Sequence, residues 1–240
     1  MKLYTFFNSS ASYRVRIALA LKGMTAEHIG LNIRTGEQHS EDFLALNPAG
    51  LVPALVDGPT RLSQSLAILD HLDRIQPEPL LVPANSPARG QVLEIAQLIA
   101  CEIHPLNNLR VLKYLTAEMG LSEARKSAWY AHWIAEGFNA LEALLPEHDG
   151  WCVGITPTLA DCCLVPQVAN AERMKMDLSA WPRIRRIAAF ARLHPAFLQA
   201  EPQRQPDYIP PETRACQQAR APNASSSGAS ARIFSPSSSV

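Results

Sequence analysis

Three hydroxyls stand between an apolar run and a helical one in Phe6-Phe7-Asn8-Ser9-Ser10-Ala11-Ser12-Tyr13-Arg14. A serine just ahead of a helix accepts a hydrogen bond from a free backbone amide, and the helix terminus behind it carries partial positive charge. Such a place favours anions and lowers the pKa of a thiol brought to it. Gln64-Ser65 has the same form, between a strand and a helix: the Ser65 hydroxyl and the first helical amides suit a carboxylate, and Gln64 adds an amide donor. A plain N-cap is the other reading of Ser65. Pro53 is the third feature. A proline inside a strand removes a ladder donor, so it belongs to an edge or bulge; alternatively, a cis bond before it turns the N–H and C=O of Val52 outward to an extended ligand. Two helix N-termini and one strand edge are thus offered to one peptide-like ligand.

The elements that would position these residues follow from periodicity. Residues 2–7 read as a strand and 12–22 as a helix closed by Gly23; 27–33 read as a strand, and 40–46 as a short helix stopped by Asn47-Pro48. Residues 51–56 and 60–62 form a hairpin across Asp57-Gly58, and 65–75 a helix with Leu66, Leu69 and Leu72 on one face. The order βαβαββα predicts a small mixed sheet flanked by helices. From residue 84 the pattern is helical throughout, over 89–114, 122–145, 159–173 and 183–193. Thr158-Leu159-Ala160-Asp161 reads as a capping box that nucleates a helix. The expected domains are therefore 1–83, mixed α/β, and 84–209, all-helical. Residues 210–240 are rich in Pro, Ser and Ala and read as a tail too poor in apolar residues to order itself.

Composition narrows the partners. Lys plus Arg and Asp plus Glu each total 22, so there is no net field to attract nucleic acid or an anionic membrane. The apolar N-terminal run is too short for a signal-peptide core, and no run approaches a membrane span, which points to the cytoplasm. Asn223-Ala224-Ser225 is then an accidental sequon. The five cysteines form no C-x-x-C pair and the histidines no H-E-x-x-H, so neither a disulfide framework nor a metal site is expected; the cysteines read as buried, reduced thiols.

The serine-rich turn leading into R-V-R-I-A-L, the run from Leu46-Asn47-Pro48 to Val52-Pro53-Ala54-Leu55, Gln64-Ser65, and Leu164 to Arg173 followed by Asp177-Leu178 resemble the zeta class of glutathione transferases over residues 1 to 209. The resemblance implies a thioredoxin-like N-terminal domain, a helical C-terminal domain, glutathione as cofactor, a small dicarboxylate substrate and a homodimer. The activity implied is maleylacetoacetate isomerisation in tyrosine and phenylalanine breakdown. The alternatives are maleylpyruvate isomerisation, glutathione transfer to haloacids, or glutathione binding without turnover. In the implied reaction the glutathione thiolate adds to the maleyl C=C, the resulting single bond rotates, and expulsion of the thiolate leaves the fumaryl isomer. By the same resemblance Ser9 faces the sulfur, with Ser10, Ala11, Ser12, Tyr13 and Arg14 around it. Gln38 and Val52 hold the peptide backbone, and Gln64 and Ser65 the γ-glutamyl carboxylate. His104, Asn108, Leu109 and Arg110 come from the helical domain, and Arg173 meets the acidic substrate. Ser9, His104, Arg110 and Arg173 form the catalytic set; Arg14 and Arg16 are left outside it as surface or interface charges.

Two departures bear on the chemistry. Many zeta enzymes have cysteine at Ala11 and arginine at Asn8. His104 and Arg110 are closer to the maleylpyruvate isomerases than to the animal enzymes.

Overall fold

The computed structural model describes residues 1–210. Four short strands, β1 (Lys2–Thr5), β2 (Glu27–Gly30), β3 (Ala54–Asp57) and β4 (Thr60–Ser63), form one sheet in the order β2-β1-β3-β4. β1 runs parallel to β2 and antiparallel to β3, and β3 and β4 make the hairpin, with Leu55 paired to Leu3 on one side and to Leu62 on the other. The helices of this part are α1 (Ser10–Leu21), α2 (Glu41–Leu46) and α3 (Ser65–Ile75). The expected βαβαββα order is thus present. β2 is shorter than expected, ending at Gly30, and β3 begins at Ala54, after Pro53.

Among the described residues every later element is helical: α4 (Ala88–Gln97), α5 (Leu109–Ala117), α6 (Glu123–Leu144), α7 (Leu159–Arg173), α8 (Pro182–Ala191) and α9 (Pro195–Ala200). The single helix expected over 89–114 is broken. α4 loosens into a π-helical turn, Leu98–Ile103, and then tightens into a 3₁₀ turn, His104–Asn107, before α5 starts. Pro105 is the cause, because it brings no N–H and its ring crowds the preceding turn. Gly137 on α6 lets the turn pack close: a Cβ there would lie 2.2 Å from Cγ1 of Ile103.

Residues Met1–Tyr208 form one compact unit. α1 packs against α3, α7 and α9, and Val15, Ile17 and Ala18 are fully enclosed. The capping box is present as a helix start: Asp161 accepts from the Thr158 amide at 2.8 Å and also from the Cys152 amide at 2.8 Å. A buried Lys22–Asp73 pair, 2.7 Å apart, fastens the segment that links the sheet to the helices. Asp73 also accepts from the amides of Leu81 and Val82, and Lys22 donates to the carbonyls of Gln76 and Pro79.

Cys152, Cys162 and Cys163 are buried, and burial raises each thiol pKa, Cys163 to about 11. Cys101 corrects the expectation of buried thiols, for it is exposed. Among the described residues no helix is long and apolar enough to cross a membrane, and no three His, Cys, Asp or Glu side chains are grouped to hold a metal. The expected tail beyond Pro210, with Cys216 and the sequon, lies outside the described residues.

Candidate active site

β1 delivers the buried Phe6 and Phe7 to the turn from which α1 starts. Ser9 is the N-cap: its Oγ accepts from the Ser12 amide at 3.2 Å, and its backbone is extended. Ser12 is buried within the helix, so the terminus is served by Ser9 and neither Ser10 nor Ser12 caps it. The Ser9 hydroxyl accepts in that bond, which leaves its hydrogen for a second partner.

The turn is held from behind. Arg16 is 6 % exposed, which corrects its reading as a surface charge. Its guanidinium donates to the carbonyls of Phe7 (2.9 Å), Phe6 (3.3 Å) and Ala200 (3.2 Å) and to the Thr5 hydroxyl (3.3 Å). Burial lowers its pKa to about 10, so it stays charged at neutral pH and needs those oxygens. The Asp207 carboxylate accepts from the Phe7 amide at 2.7 Å and pairs with His28 at 2.8 Å.

Arg14, 2 % exposed, is likewise no surface charge. Its Nη1 donates to the Ser65 hydroxyl at 3.1 Å and its Nη2 meets Nδ1 of His104 at 3.0 Å. A guanidinium has only hydrogens to offer, so Nδ1 must accept and the neutral imidazole carries its proton on Nε2. Burial, then the charges of Arg14 and Arg173, push the His104 pKa down to about 3. His104 is therefore a neutral donor at physiological pH. Ser65 is the first residue of α3 and does not cap it. The N-cap is Gln64, which makes no side-chain capping bond and sits at φ +73°. The first amides of α3 are left for a ligand.

Two adjoining cavities connect these groups. One, of about 310 Å³, is lined by Ala11, Arg14, Val52, Gln64, Ser65 and Cys101. The other, of about 190 Å³, is lined by Ser9, Gln38, Leu109 and Lys113. Leu51, Val52, His104, Asn108 and Arg110 line both, and among the described residues no Asp or Glu lines either. The Val52–Pro53 bond is cis, and Val52 precedes β3 rather than pairing within it. Two of the lining residues carry buried polar atoms without a hydrogen-bond partner, Nε of Arg14 and Oε1 of Gln38. The cleft is thus positive, offers amide donors and acceptors, and suits a peptide carrying carboxylates. A larger groove, about 740 Å³, lies along α7 and α8, where Arg192 and Arg186 are already paired with Glu172 and Asp149.

Of the residues expected here, Ser9, Ala11, Arg14, Gln38, Val52, Gln64, Ser65, His104, Asn108, Leu109 and Arg110 line the cleft. Ser10, Ser12, Tyr13 and Arg173 line neither cavity. Tyr13 is buried, its phenol pushed up to about 12 chiefly by desolvation, and Arg16 lies over its ring at 5.3 Å. Arg173 is exposed at the end of α7, with Nη1 3.0 Å from Oδ1 of Asn8 and Nη2 on Oδ1 of Asn170. Asn108 caps α5 through Oδ1, which accepts from the Arg110 amide at 3.1 Å. Lys113, one turn further along α5, escaped the sequence reading, although its spacing from Arg110 puts both on one helix face.

The model for the glutathione S-transferase N-terminal domain matches residues 1–74. A probable maleylacetoacetate isomerase from Vibrio cholerae is 49 % identical over 208 residues, 85 % of this chain and 97 % of that protein. Among solved structures, the holo form of a maleylpyruvate isomerase, described as a bacterial zeta-class glutathione S-transferase, is 45 % identical with a TM-score of 0.84, covering 87 % of this chain and all of that one. A maleylacetoacetate isomerase from Methylobacterium extorquens AM1, solved with malonate and glutathione, is 37 % identical with a TM-score of 0.83, covering 88 % of this chain and all of that one.

Proposed function

The chain belongs to the zeta class of the glutathione S-transferases, and on that premise we propose that it is a glutathione-dependent cis–trans isomerase of maleylacetoacetate. Maleylpyruvate is the second reading, favoured by the His104–Arg110 pair and by the holo relative. The observation that carries the proposal is the cleft in which two helix N-termini, Arg14 and Arg110 converge, with no Asp or Glu among the described residues that line it. When bound, glutathione supplies a thiolate that adds to the conjugated double bond and is returned after rotation about it.

The residues divide the work. Gln64, Ser65 and the open amides of α3 receive the γ-glutamyl carboxylate, and Gln38 and Val52 the peptide groups. Ser9 donates its free hydroxyl hydrogen to sulfur while its Oγ keeps the α1 terminus capped. Ala11 offers no nucleophile, so the chemistry uses none from the protein at that position. His104 donates from Nε2 toward the oxygen that gains negative charge, held by Arg14 and unable to take a proton at neutral pH. Arg110 and Arg173 receive the substrate's two carboxylates.

The division into a glutathione side, 1–83, and a substrate side, 84–209, a homodimeric assembly, a cytoplasmic site of action and a place in aromatic catabolism belong to the same proposal. Offering the purified protein maleylacetoacetate, maleylpyruvate and dichloroacetate separately, each with glutathione, tests it. Isomerisation of a maleyl compound exceeding haloacid conjugation supports the reading; the reverse order makes the protein a transferase. Glutathione binding with no turnover of any of them makes it a binding protein.

A further inference from the structure

We infer that Lys113 is a carboxylate-binding residue of the cleft, standing beside Arg110 on the α5 wall of the smaller cavity. The inference rests on the reading of the cleft as a glutathione site.

The sequence of α5 gathers positive charge where a helix does not favour it. Arg110 stands in the first turn, at the positive end of the helix, and no acidic residue shares that turn to offset it. Lys113 lies three residues on, a neighbour on the same face, where like charges repel. Among the described residues neither Arg110 nor Lys113 is in a salt bridge, whereas Arg183, Arg186 and Arg192 are each paired with an acid. Both cations line the cavity that Ser9 also lines, and none of the described residues around it is acidic. The Lys113 ammonium is placed by a long hydrogen bond, 3.4 Å, to the carbonyl of Arg34. Arg34 belongs to the loop after β2, whose Ile33 and Gly36 line the same cavity, so the ammonium sits where α5 and that loop approach each other. An ammonium has three hydrogens, and that bond uses one.

The ligand follows from the order of groups along glutathione. Gln64 and Ser65 line only the larger cavity, and Ser9 and Gln38 only the smaller. With the γ-glutamyl carboxylate at Gln64 and Ser65 and the sulfur at Ser9, the glycyl end continues into the smaller cavity. The reacting carbon of the substrate meets the sulfur there too. Two carboxylates, the glycyl one and one of the substrate's, are therefore brought to a cavity whose described walls carry one arginine and one lysine, Arg110 and Lys113. Left with a single cation, that cavity would crowd two anions against each other; the second cation balances the second anion. Arg110 takes one carboxylate and Lys113 the other. The cost of two like charges on one helix face is in this way offset by the ligands.

Calorimetric binding to the parent, Lys113→Met and Lys113→Arg tests this with three ligands. They are glutathione, γ-glutamylcysteine, which lacks the glycyl carboxylate, and succinate, an unreactive diacid offered to glutathione-saturated protein. Position 113 is exposed, and methionine and arginine are good helix formers, so both variants keep α5. For Lys113→Met we expect a loss of about fivefold, the worth of one charged contact at an exposed site, with γ-glutamylcysteine spared. A loss in glutathione assigns Lys113 to the glycyl carboxylate, a loss in succinate assigns it to the substrate's, and a loss in both assigns it to both. Lys113→Arg, which keeps the charge, should stay within about twofold of the parent for every ligand. Parent-like binding of all three ligands by Lys113→Met overturns the inference. So does a loss of γ-glutamylcysteine equal to that of glutathione, or an equal loss in Lys113→Arg, either of which makes Lys113 a tether for the Arg34 loop. Failure of the parent to bind glutathione overturns the reading of the cleft itself, and the inference with it.

Discussion

The Arg14 guanidinium and Nδ1 of His104 lie 3.0 Å apart, and both side chains border the same cleft. This contact reverses the usual use of histidine. Burial first, and the positive neighbour second, keep the ring neutral, and that neighbour fixes the tautomer, so His104 enters the chemistry as a hydrogen-bond donor.

Replacing Arg14 by Met removes both the Nδ1 partner and the donor to Ser65. The His104 pKa should rise from about 3 yet stay below 6.5, because desolvation is the larger cause and Arg173 remains. Titration of the ring by NMR reads this shift. Lost charged hydrogen bonds should also cost about 1.5–3 kcal/mol each in unfolding free energy.

The depressed pKa of His104 has a signed consequence for stability. Above pH 6.5 the ring is neutral in both folded and unfolded chains and contributes no pH dependence. As pH falls from 6.5 toward about 3 the unfolded chain takes up a proton that the folded one refuses, so stability declines across that window. Denaturant titrations of His104→Asn should be flatter there than those of the parent. Asp207, whose pKa is lowered because its hydrogen bonds with His28 and the Phe7 amide outweigh desolvation, adds a loss in the same direction at the acid end.

Ser9→Ala removes a cap and a donor together. Stability should drop by about 0.5–2 kcal/mol, as for other caps, and turnover by at least about tenfold. Ser9→Thr, which keeps the hydroxyl, should recover most of both. The thiolate absorbance of bound glutathione, followed against pH, should give a higher thiol pKa in the alanine variant and a parent-like one in the threonine variant.

The Lys22–Asp73 pair is far from this chemistry in role. Asp73→Asn leaves the Lys22 charge buried, and a cost of about 3–5 kcal/mol is expected, with the kinetics of the folded fraction unchanged. Thermal unfolding and active-site titration together separate the two quantities.

Much of this arrangement was legible in the residues themselves. The βαβαββα order followed from the change between period two and period 3.6, and Gln64 and Ser65 followed from an amide and a hydroxyl at a helix start, whereas Ser9 was singled out among three hydroxyls only by the family resemblance. Arg14 lines the cleft, as the resemblance implied, but the reading of Arg14 and Arg16 as surface or interface charges failed because two arginines in the first turns of a helix look solvent-facing when only their own helix is considered. The partners that enclose them include Ser65, His104 and Ala200, 51 to 184 residues away. Pro105 was visible, yet apolar periodicity carried the helical reading across it. Asp207 gave no local signal, since it acts on the Phe7 amide 200 residues away.

The most direct measurement follows the loss of the cis isomer with glutathione held well below the substrate. The account predicts many turnovers per glutathione, a trans product and undiminished free thiol at the end, with Ser9→Ala slower and Arg173→Ala needing more substrate. Consumption of one thiol per product, or no change in the double bond of either maleyl compound, would contradict it.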